Sequence, residues 1–361
     1  MKNKSKLLEK EIDGKKIAEN VGWSMKNKDI FKKDFMGNNK KILIIPPNGL
    51  GDCLRSIHIV FKIKKKYPRN KIDFLVNKNN GFSNLFKKYS FIDEIIQYEM
   101  KSYSIKSYCN FFLSKFIPTI YKINKRNYDY IMTFNPNPLR RLICLLSKCN
   151  NKIIKRNFNE HLARAPNAML EDFEEFDQEI TESLKITPAI NERKILDKFK
   201  LKKKKYILLN FFSKDPAKEF KKINILINDL KENKAYILVL VGKSKDNIKR
   251  KGVMDLVNKT SLEEVMVLIK NSKVFVTIDG GLLHLSTLLK VPTFALCTVL
   301  NSEYVKPINS NHFFKAFNSE GMNNSSPLMV NKNLKNESLA EKISEKDLVK
   351  DINKFLNLKN E

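Results

Sequence analysis

A continuous apolar run, Ile42–Ile45, stands directly before a turn with two glycines and a segment with helical spacing. Uninterrupted branched side chains over this length are typical of a strand buried on both faces of a parallel sheet. The helical pattern from Asp52 to Tyr67 and a second apolar run over residues 72–76 complete a strand–turn–helix–strand unit, the βαβ crossover. The chain is therefore predicted to be an α/β protein.

The same alternation of apolar runs and helical patterns continues along most of the chain. Ser261 and Glu264 form a capping-box pattern, which marks the start of one helix. Further strands are predicted at residues 93–97, 128–134, 206–212, 235–241, 274–278 and 293–297. Helices are predicted at residues 139–148, 218–232, 262–271, 282–289 and 338–358.

The length of 361 residues and a hydrophobic content of 42% suffice for two cores. Charges and a proline interrupt the alternation near residues 186–203, which places a boundary there. We predict a polar N-terminal appendage (1–40) and two doubly wound domains (41–187 and 188–337) that face a cleft. The last segment (338–361) is predicted to be a helix that packs back across the domains.

The formal net charge of +29 is typical of nucleic-acid binders, but the composition argues against that function. Only nine of the 68 basic residues are Arg, the side chain that matches phosphate and guanine with two hydrogen bonds. The lysine excess is interpreted as a compositional bias, with no specific nucleic-acid partner. A peripheral attraction to anionic membrane surfaces needs no special motif and is expected.

The five cysteines are odd in number and form no C-x-x-C pair, so neither a disulfide framework nor a zinc site is predicted. The N-terminus has no apolar segment typical of a signal peptide. No apolar run approaches the ~18 residues that span a bilayer. We expect a cytoplasmic protein, soluble or peripheral at the inner membrane.

The first segment with chemical potential is the turn after the first strand, where Gly49 and Gly51 precede Asp52. Glycines allow a backbone to turn tightly and to approach a ligand, and open α/β sheets bind ligands at this edge. The turn is neither a P-loop nor a dinucleotide fingerprint, because it lacks G-K-[ST] and a third glycine. Asp52 is a candidate catalytic acid or base, and the structural alternative is an ordinary helix N-cap.

The second segment, residues 213–220, follows a predicted strand and opens a predicted helix. Lys218 in this segment can meet a diphosphate as a point charge, beside a helix N-terminus that favours anions. Chance placement is the alternative in a chain with 59 lysines.

The third segment, Asp279–His284, joins a predicted strand to the next helix. Paired glycines at such a turn, Gly280 and Gly281, expose successive backbone N–H groups that form a nest for anions. His284 lies one turn into the helix and can reach the same ligand. The structural alternative is a capped helix with a buried histidine.

The order of the three segments resembles the lipopolysaccharide heptosyltransferases, glycosyltransferase family 9. The similarity rests on Gly-Leu-Gly-Asp at 49–52, Pro-Ala-Lys-x-Phe at 216–220 and Asp-x-Gly-x-x-His at 279–284. It extends from about Lys41 to Tyr304 and is densest over residues 262–300. The resemblance implies a GT-B fold of two Rossmann-like domains, with the acceptor on residues 41–187 and a nucleotide-sugar donor on residues 188–337.

The resemblance also implies an activity. It implies inverting transfer of a sugar, heptose from ADP-heptose, to a lipopolysaccharide core or a related lipid-linked glycan, without a metal or another cofactor. Asp52 is similar to the general base of the family and Lys218 to its diphosphate-binding lysine. Asp279, Gly280, Gly281 and His284 match the turn at the donor site, and Gly49 and Gly51 lie in the glycine turn near the acceptor.

The sequence also departs from the family pattern. Gly280 stands where Thr or Ser is usual, His58 where Pro is usual, and Thr298-Val299-Leu300 where Gly-Pro often follows. The donor sugar therefore stays open, and a GT-B transferase with another nucleotide sugar is the nearest alternative. A non-catalytic binder of anionic glycan or nucleic acid on the same scaffold is the alternative from another class.

The predicted acceptor domain contains a segment, Lys101–Tyr128, in which lysines alternate with aromatic residues. Arg140, Arg141 and Arg156 follow it. Two interpretations are open: the segment meets a phosphorylated, membrane-anchored glycan, or its aromatic side chains are core and its charges form a solvated face.

Overall fold

The structure, a computed structural model, describes a large part of the chain from residue 37 onward. The described residues are 37–47, 49–78, 83–86, 89–99, 112–134, 138–155, 186–213, 218–231, 235–245, 250–297, 312–316 and 344–358. Nearly all of the predicted N-terminal appendage (1–40) lies outside these ranges.

The first half of the chain forms a parallel sheet of five strands in the order β3-β2-β1-β4-β5. This order is that of a doubly wound sheet in which β1 is central. The elements are β1 (Lys41–Ile45), α1 (Leu50–Lys66), β2 (Lys71–Asn77), α2 (Ser83–Phe86), β3 (Glu94–Tyr98), a π-helical turn (Phe112–Phe116), α3 (Ile117–Lys125), β4 (Tyr130–Phe134), α4 (Pro138–Leu146) and β5 (Asn151–Lys155).

The apolar run that predicted the first strand is the middle of this sheet. Residues 42–45 are fully buried, and β1 pairs with β2 on one side and β4 on the other. Leu43 and Ile131 belong to a core that also includes residues of α3 and α4. The prediction of a strand buried on both faces is confirmed.

The second half forms a parallel sheet of six strands in the order β11-β10-β9-β6-β7-β8. Its elements are α5 (Glu192–Lys198), β6 (Tyr206–Asn210), α6 (Ile223–Leu230), β7 (Ile237–Leu240), β8 (Met254–Asp255), α7 (Leu262–Asn271), β9 (Val274–Ile278), α8 (Gly281–Leu288), β10 (Thr293–Cys297), β11 (His312–Ala316) and α9 (Glu345–Leu358). The two sheets confirm the predicted α/β class with two Rossmann-like domains.

The C-terminal helix α9 packs against the second sheet and α6. Its residues Leu348, Ile352 and Phe355 belong to the core of this half, and the rings of Phe294 and Phe355 lie 6.0 Å apart. The described helix begins at Glu345, whereas the prediction began at residue 338, and residues 317–343 lie outside the described part. Packing across both domains stays a prediction.

Contacts divide the chain into two compact units. Among the described residues, the first unit contains 37–47, 63–77 and 91–155, which include β1–β5, α3 and α4. The second contains 49–62, 78, 83–86, 89–90 and the described residues from 186 onward. The predicted domain boundaries at residues 41, 188 and 338 stay predictions. None of the described helices is long and apolar enough to cross a membrane.

Candidate active site

Two of the predicted segments follow neighbouring strands of the second sheet. Lys218 lies in the loop after β6, and Asp279 is the first residue after β9. These strands are paired, with Asn210 opposite Thr277, and their other neighbours, β7 and β10, lie on opposite sides. Lys218 and Asp279 therefore stand at the position where the strand order reverses, which is where open α/β sheets bind ligands.

The loop that carries Lys218 is fixed to the end of β6. Phe220 is fully buried, its N–H donates to the carbonyl of Phe211 at 3.3 Å, and the two rings lie 5.5 Å apart. Oε1 of Glu219 accepts from the N–H of Ser213 at 3.2 Å. The prediction that Lys218 opens a helix is wrong: α6 begins at Ile223, because these contacts hold residues 218–220 against the residues that follow β6.

Lys218 and Asp279 form an ion pair. Nζ of Lys218 donates to Oδ2 of Asp279 at 2.5 Å, and the Asp279 N–H donates to the carbonyl of Leu296 at 2.9 Å. The lysine side chain is 19% exposed and the aspartate side chain 7%, so the lysine is the more exposed partner. The acid holds the lysine at the end of the sheet and offsets the cost of burying its charge.

The turn after β9 leads directly into α8. Gly280 is the N-cap residue in an extended conformation, and among the described residues a Cβ placed on it would meet only the carbonyl oxygen of Ile278, at 4.0 Å. Space therefore exists at Gly280 for the Thr or Ser that is usual in the resembling family. His284, the fourth residue of α8, is buried. The first turn of a helix presents backbone N–H groups without intrahelical partners, which suits an anion.

Helix α1 begins within the glycine turn after β1, earlier than predicted. The helix begins at Leu50, so Asp52 is its third residue, and the alternative that Asp52 is the N-cap is wrong. A Cβ on Gly49 would lie 3.0 Å from Oδ2 of Asp52, which shows that the carboxylate lies against that glycine. Asp52 is half-buried, and its carbonyl accepts a hydrogen bond from the Ser56 hydroxyl at 3.0 Å.

The turn with Asp52 packs directly on the turn at the start of α8, and both belong to the second unit. A Cβ on Gly51 would lie 2.7 Å from Cδ2 of His284 and 3.4 Å from Cα of Gly281. A Cβ on Gly281 would lie 2.8 Å from Cβ of Leu50. Gly51 and Gly281 are thus glycines because each backbone is approached closely. The sequence motifs contain both glycines but give no sign that they meet.

The structure therefore joins all the predicted site residues through one turn. Residues 279–284 contact Lys218 at one end and the turn containing Gly51 at the other. Within the described residues, no group of three or more His, Cys, Asp or Glu side chains is placed to hold a metal ion. Transfer without a metal or another cofactor stays a prediction.

The basic and aromatic segment of the first unit is heterogeneous. Phe116 is buried, in agreement with a core role, whereas Tyr121 is 66% exposed, which contradicts that role for this ring. Arg140 is buried rather than solvated, and its Nη1 donates to the carbonyl of Pro46 at 3.1 Å. Residues 100–111 and Arg156 lie outside the described part of the chain.

Comparison with known proteins decides the family. A sequence profile of glycosyltransferase family 9 (heptosyltransferase) matches residues 141–333, more than half of the chain. The chain belongs to glycosyltransferase family 9. The match includes Lys218 and the turn at 279–284, while Asp52 lies outside it. Membership makes the chain a glycosyltransferase. No curated protein matches the chain significantly.

Solved structures of the family share its fold. A family 9 glycosyltransferase from Veillonella parvula superposes with a TM-score of 0.67 at 16% identity, covering 88% of this chain and 97% of its own. E. coli ADP-heptose lipopolysaccharide heptosyltransferase II gives 0.65 at 16% identity, with coverage of 89% and 100%. E. coli heptosyltransferase WaaC with ADP-2-deoxy-2-fluoro heptose gives 0.52 at 17% identity, with coverage of 76% and 92%. The predicted GT-B fold is confirmed for this transferase.

Proposed function

We propose that this family 9 transferase moves heptose from ADP-heptose to a lipopolysaccharide core or a related lipid-linked glycan, with inversion at the anomeric carbon. One observation carries the proposal: the turn with Asp52 packs on the α8 turn through Gly51 and His284. An acid able to accept a proton thereby lies beside a turn suited to a diphosphate, in one compact unit. The E. coli structures with ADP and heptose in their names support the choice of donor.

In this mechanism an acceptor hydroxyl attacks the anomeric carbon of the donor. The new C–O bond forms as the bond from carbon to the diphosphate oxygen breaks, and ADP leaves with that electron pair. Asp52 accepts the hydroxyl proton as attack proceeds, which makes it the general base. Attack from the face opposite the leaving group inverts the anomeric carbon.

The residues around the α8 turn stabilise the departing diphosphate. Negative charge grows on its oxygens in the transition state, and preorganised donors at that position lower the barrier. Lys218 supplies a positive charge, and the N–H groups of Gly280 and Gly281 supply hydrogen bonds at the start of α8. Asp279 positions the Lys218 ammonium through their ion pair. His284, packed against Gly51, contacts the donor from the same turn.

Replacing Lys218 by Met tests the donor site. We expect the dissociation constant for ADP-heptose to rise, or turnover to fall, by at least about tenfold, equivalent to about 1.4 kcal/mol. The matched control is Lys222→Met, because Lys222 lies on the same loop but pairs with Glu345 at 2.9 Å. Donor titration by calorimetry and steady-state kinetics measure both. Equal donor kinetics in a folded Lys218→Met protein and the control would remove Lys218 from the site.

A different nucleotide sugar is the second candidate donor, and one feature of the α8 turn supports it. Gly280 lacks the hydroxyl that is usual in the family, although the turn has space for one. A loss of that hydroxyl changes the contacts to the donor while the backbone N–H groups stay. Competition between ADP-heptose and other nucleotide sugars in a transfer assay separates the two donors.

The acceptor and the location in the cell follow from the same proposal. A lipid-linked acceptor is presented at a membrane surface, and we propose that the enzyme acts in the cytoplasm and contacts the inner membrane peripherally. The net charge of +29 favours this contact, because the anionic leaflet attracts lysine side chains.

A further inference from the structure

Four of the six large apolar side chains that are exposed among the described residues belong to two helices of the first unit. Ile117 and Tyr121 belong to α3 and are 50% and 66% exposed, and Leu145 and Leu146 end α4 at 50% and 45%. The other two, Ile225 and Ile237, belong to the second unit. We define the α3–α4 surface as these four apolar side chains, Ile117, Tyr121, Leu145 and Leu146, together with the exposed lysines Lys122, Lys125 and Lys148.

The α3–α4 surface is continuous. Asn124 joins its two helices, because its Nδ2 donates to the carbonyl of Leu146 at 3.3 Å and its Oδ1 accepts from the Lys148 N–H at 2.9 Å. Ile117 and Tyr121 are four residues apart and lie on one face of α3. With Leu146, Lys125 and Lys148, they line an open groove of about 530 Å³.

The charge on this surface is of one sign. Residues 101–128 contain six basic residues and no acidic one, and residues 138–155 contain five and none. Acidic side chains nearby are already engaged: Glu99 lies 3.8 Å from Lys115, and Asp129 accepts from the N–H of Lys41 at 2.8 Å and lies 3.5 Å from Lys40.

Arg126 next to the surface is also engaged. It forms hydrogen bonds with Glu94, at 2.6 Å for one of the two, and lies 3.4 Å from Asp73. Lys125 and Lys148 line the groove with Ile117, Tyr121 and Leu146, and Lys152 donates to the carbonyl of Leu145 at 3.2 Å, so positive charges border the apolar side chains.

We propose that the α3–α4 surface docks on a bilayer containing anionic lipids. Apolar side chains bordered by lysines are typical of surfaces that lie at the membrane interface. Lysine stems extend along apolar groups while their ammonium groups reach the headgroups. A second copy of the chain fits less well, since its lysines would face like charges. The inference relies on the proposed function only for the lipid-linked acceptor to which docking brings the enzyme.

Vesicle co-sedimentation tests the charges of the surface. The full-length protein is mixed with vesicles of phosphatidylcholine and phosphatidylglycerol, or of phosphatidylcholine alone, without donor or acceptor. We expect binding only to the anionic vesicles and weaker binding at high salt. Lys125→Gln with Lys148→Gln should reduce binding by about fivefold for each lysine charge removed. The control pair Lys202→Gln with Lys203→Gln has the same net charge and should bind like the native protein.

A second pair of variants tests the apolar side chains. Ile117→Ser with Leu146→Ser should weaken vesicle binding by at least about tenfold without changing its salt dependence, because exposed apolar area is lost and no charge is. Ile225→Ser, at an equally exposed isoleucine of the second unit, should bind vesicles like the native protein. Both sets of variants change exposed side chains, and melting curves confirm that they fold.

Three results would overturn the proposal: no binding of the native protein to anionic vesicles, equal binding by surface and control variants, or an oligomer that only the surface variants dissociate. The last result assigns the surface to a second copy. Transfer to a water-soluble, delipidated acceptor should be equal for native protein and surface variants. If the native protein and the surface variants all fail to transfer the sugar while the native protein still binds vesicles, the proposed function is contradicted and the docking surface is not.

Discussion

Asp52→Asn is expected to lose transfer activity by about 100-fold or more, the usual contribution of a positioned base. Asparagine has the shape of aspartate, but its amide cannot accept the proton of the acceptor hydroxyl. Donor binding should persist, because Lys218 and the α8 turn are unchanged. The free energy of unfolding should fall by only about 0.3–1 kcal/mol, since a negative charge in the first turn of α1 is lost. Transfer rate, donor calorimetry and melting curves measure the three effects.

Asp347→Asn is the matched control for this substitution. Asp347 is the third residue of α9, as Asp52 is the third residue of α1. It should therefore show the same small loss of stability and keep full activity. If Asp52→Asn also keeps near-native activity, Asp52 only stabilises the N-terminus of α1, and another group must accept the proton.

Gly51→Ala is expected to damage both stability and activity. The added methyl group would lie 2.7 Å from the His284 ring and 3.4 Å from the backbone of Gly281, so the two turns must separate. Overpacking of this kind costs about 1–3 kcal/mol. A displacement of about 1 Å between catalytic groups can reduce turnover by about 10²-fold. Melting temperature and turnover are the measurements.

Gly280→Ser is the control at the same turn. Within the part of the chain that the structure describes, only the carbonyl oxygen of Ile278, 4.0 Å away, lies near the new Cβ. Serine at an N-cap is better than glycine by a few tenths of a kcal/mol. We expect unchanged or slightly higher stability and no loss of turnover. Native turnover and stability in Gly51→Ala would contradict the close packing of the two turns.

Local patterns predicted the buried elements well. β9, β10 and α7 occur at the predicted residues, because uninterrupted apolar runs and helical periodicity are local signals. The capping box is present, with the Ser261 side chain accepting from the Glu264 N–H at 3.2 Å and the Glu264 side chain from the Ser261 N–H at 2.8 Å.

Edge elements and long-range contacts were beyond prediction. β5, Asn151–Lys155, has lysines among its few apolar residues and was missed, as were α5 and β11. The start of α6 depends on the packing of Phe220 on Phe211, which are nine residues apart in the connection between β6 and α6. The prediction relied on helical propensity, which is a local signal, and therefore began the helix at Lys218.

The site was predicted as three separate segments, and the structure adds the contacts between them. A glycine in a sequence does not indicate which part of the chain packs against its backbone. The contact of Gly51 with His284 therefore could not be predicted. The Lys218–Asp279 ion pair joins residues 61 positions apart, and only the pairing of β6 with β9 brings them together.

The most direct test of the proposed function measures the products of one reaction. ADP-heptose and a lipopolysaccharide core lacking the accepting heptose are incubated with the native protein, and ADP, glycan product and anomeric configuration are determined. We predict equal amounts of ADP and heptosylated glycan, an inverted anomeric carbon, and almost no product with Asp52→Asn. Retention of configuration, or transfer from another nucleotide sugar with none from ADP-heptose, would contradict the proposal.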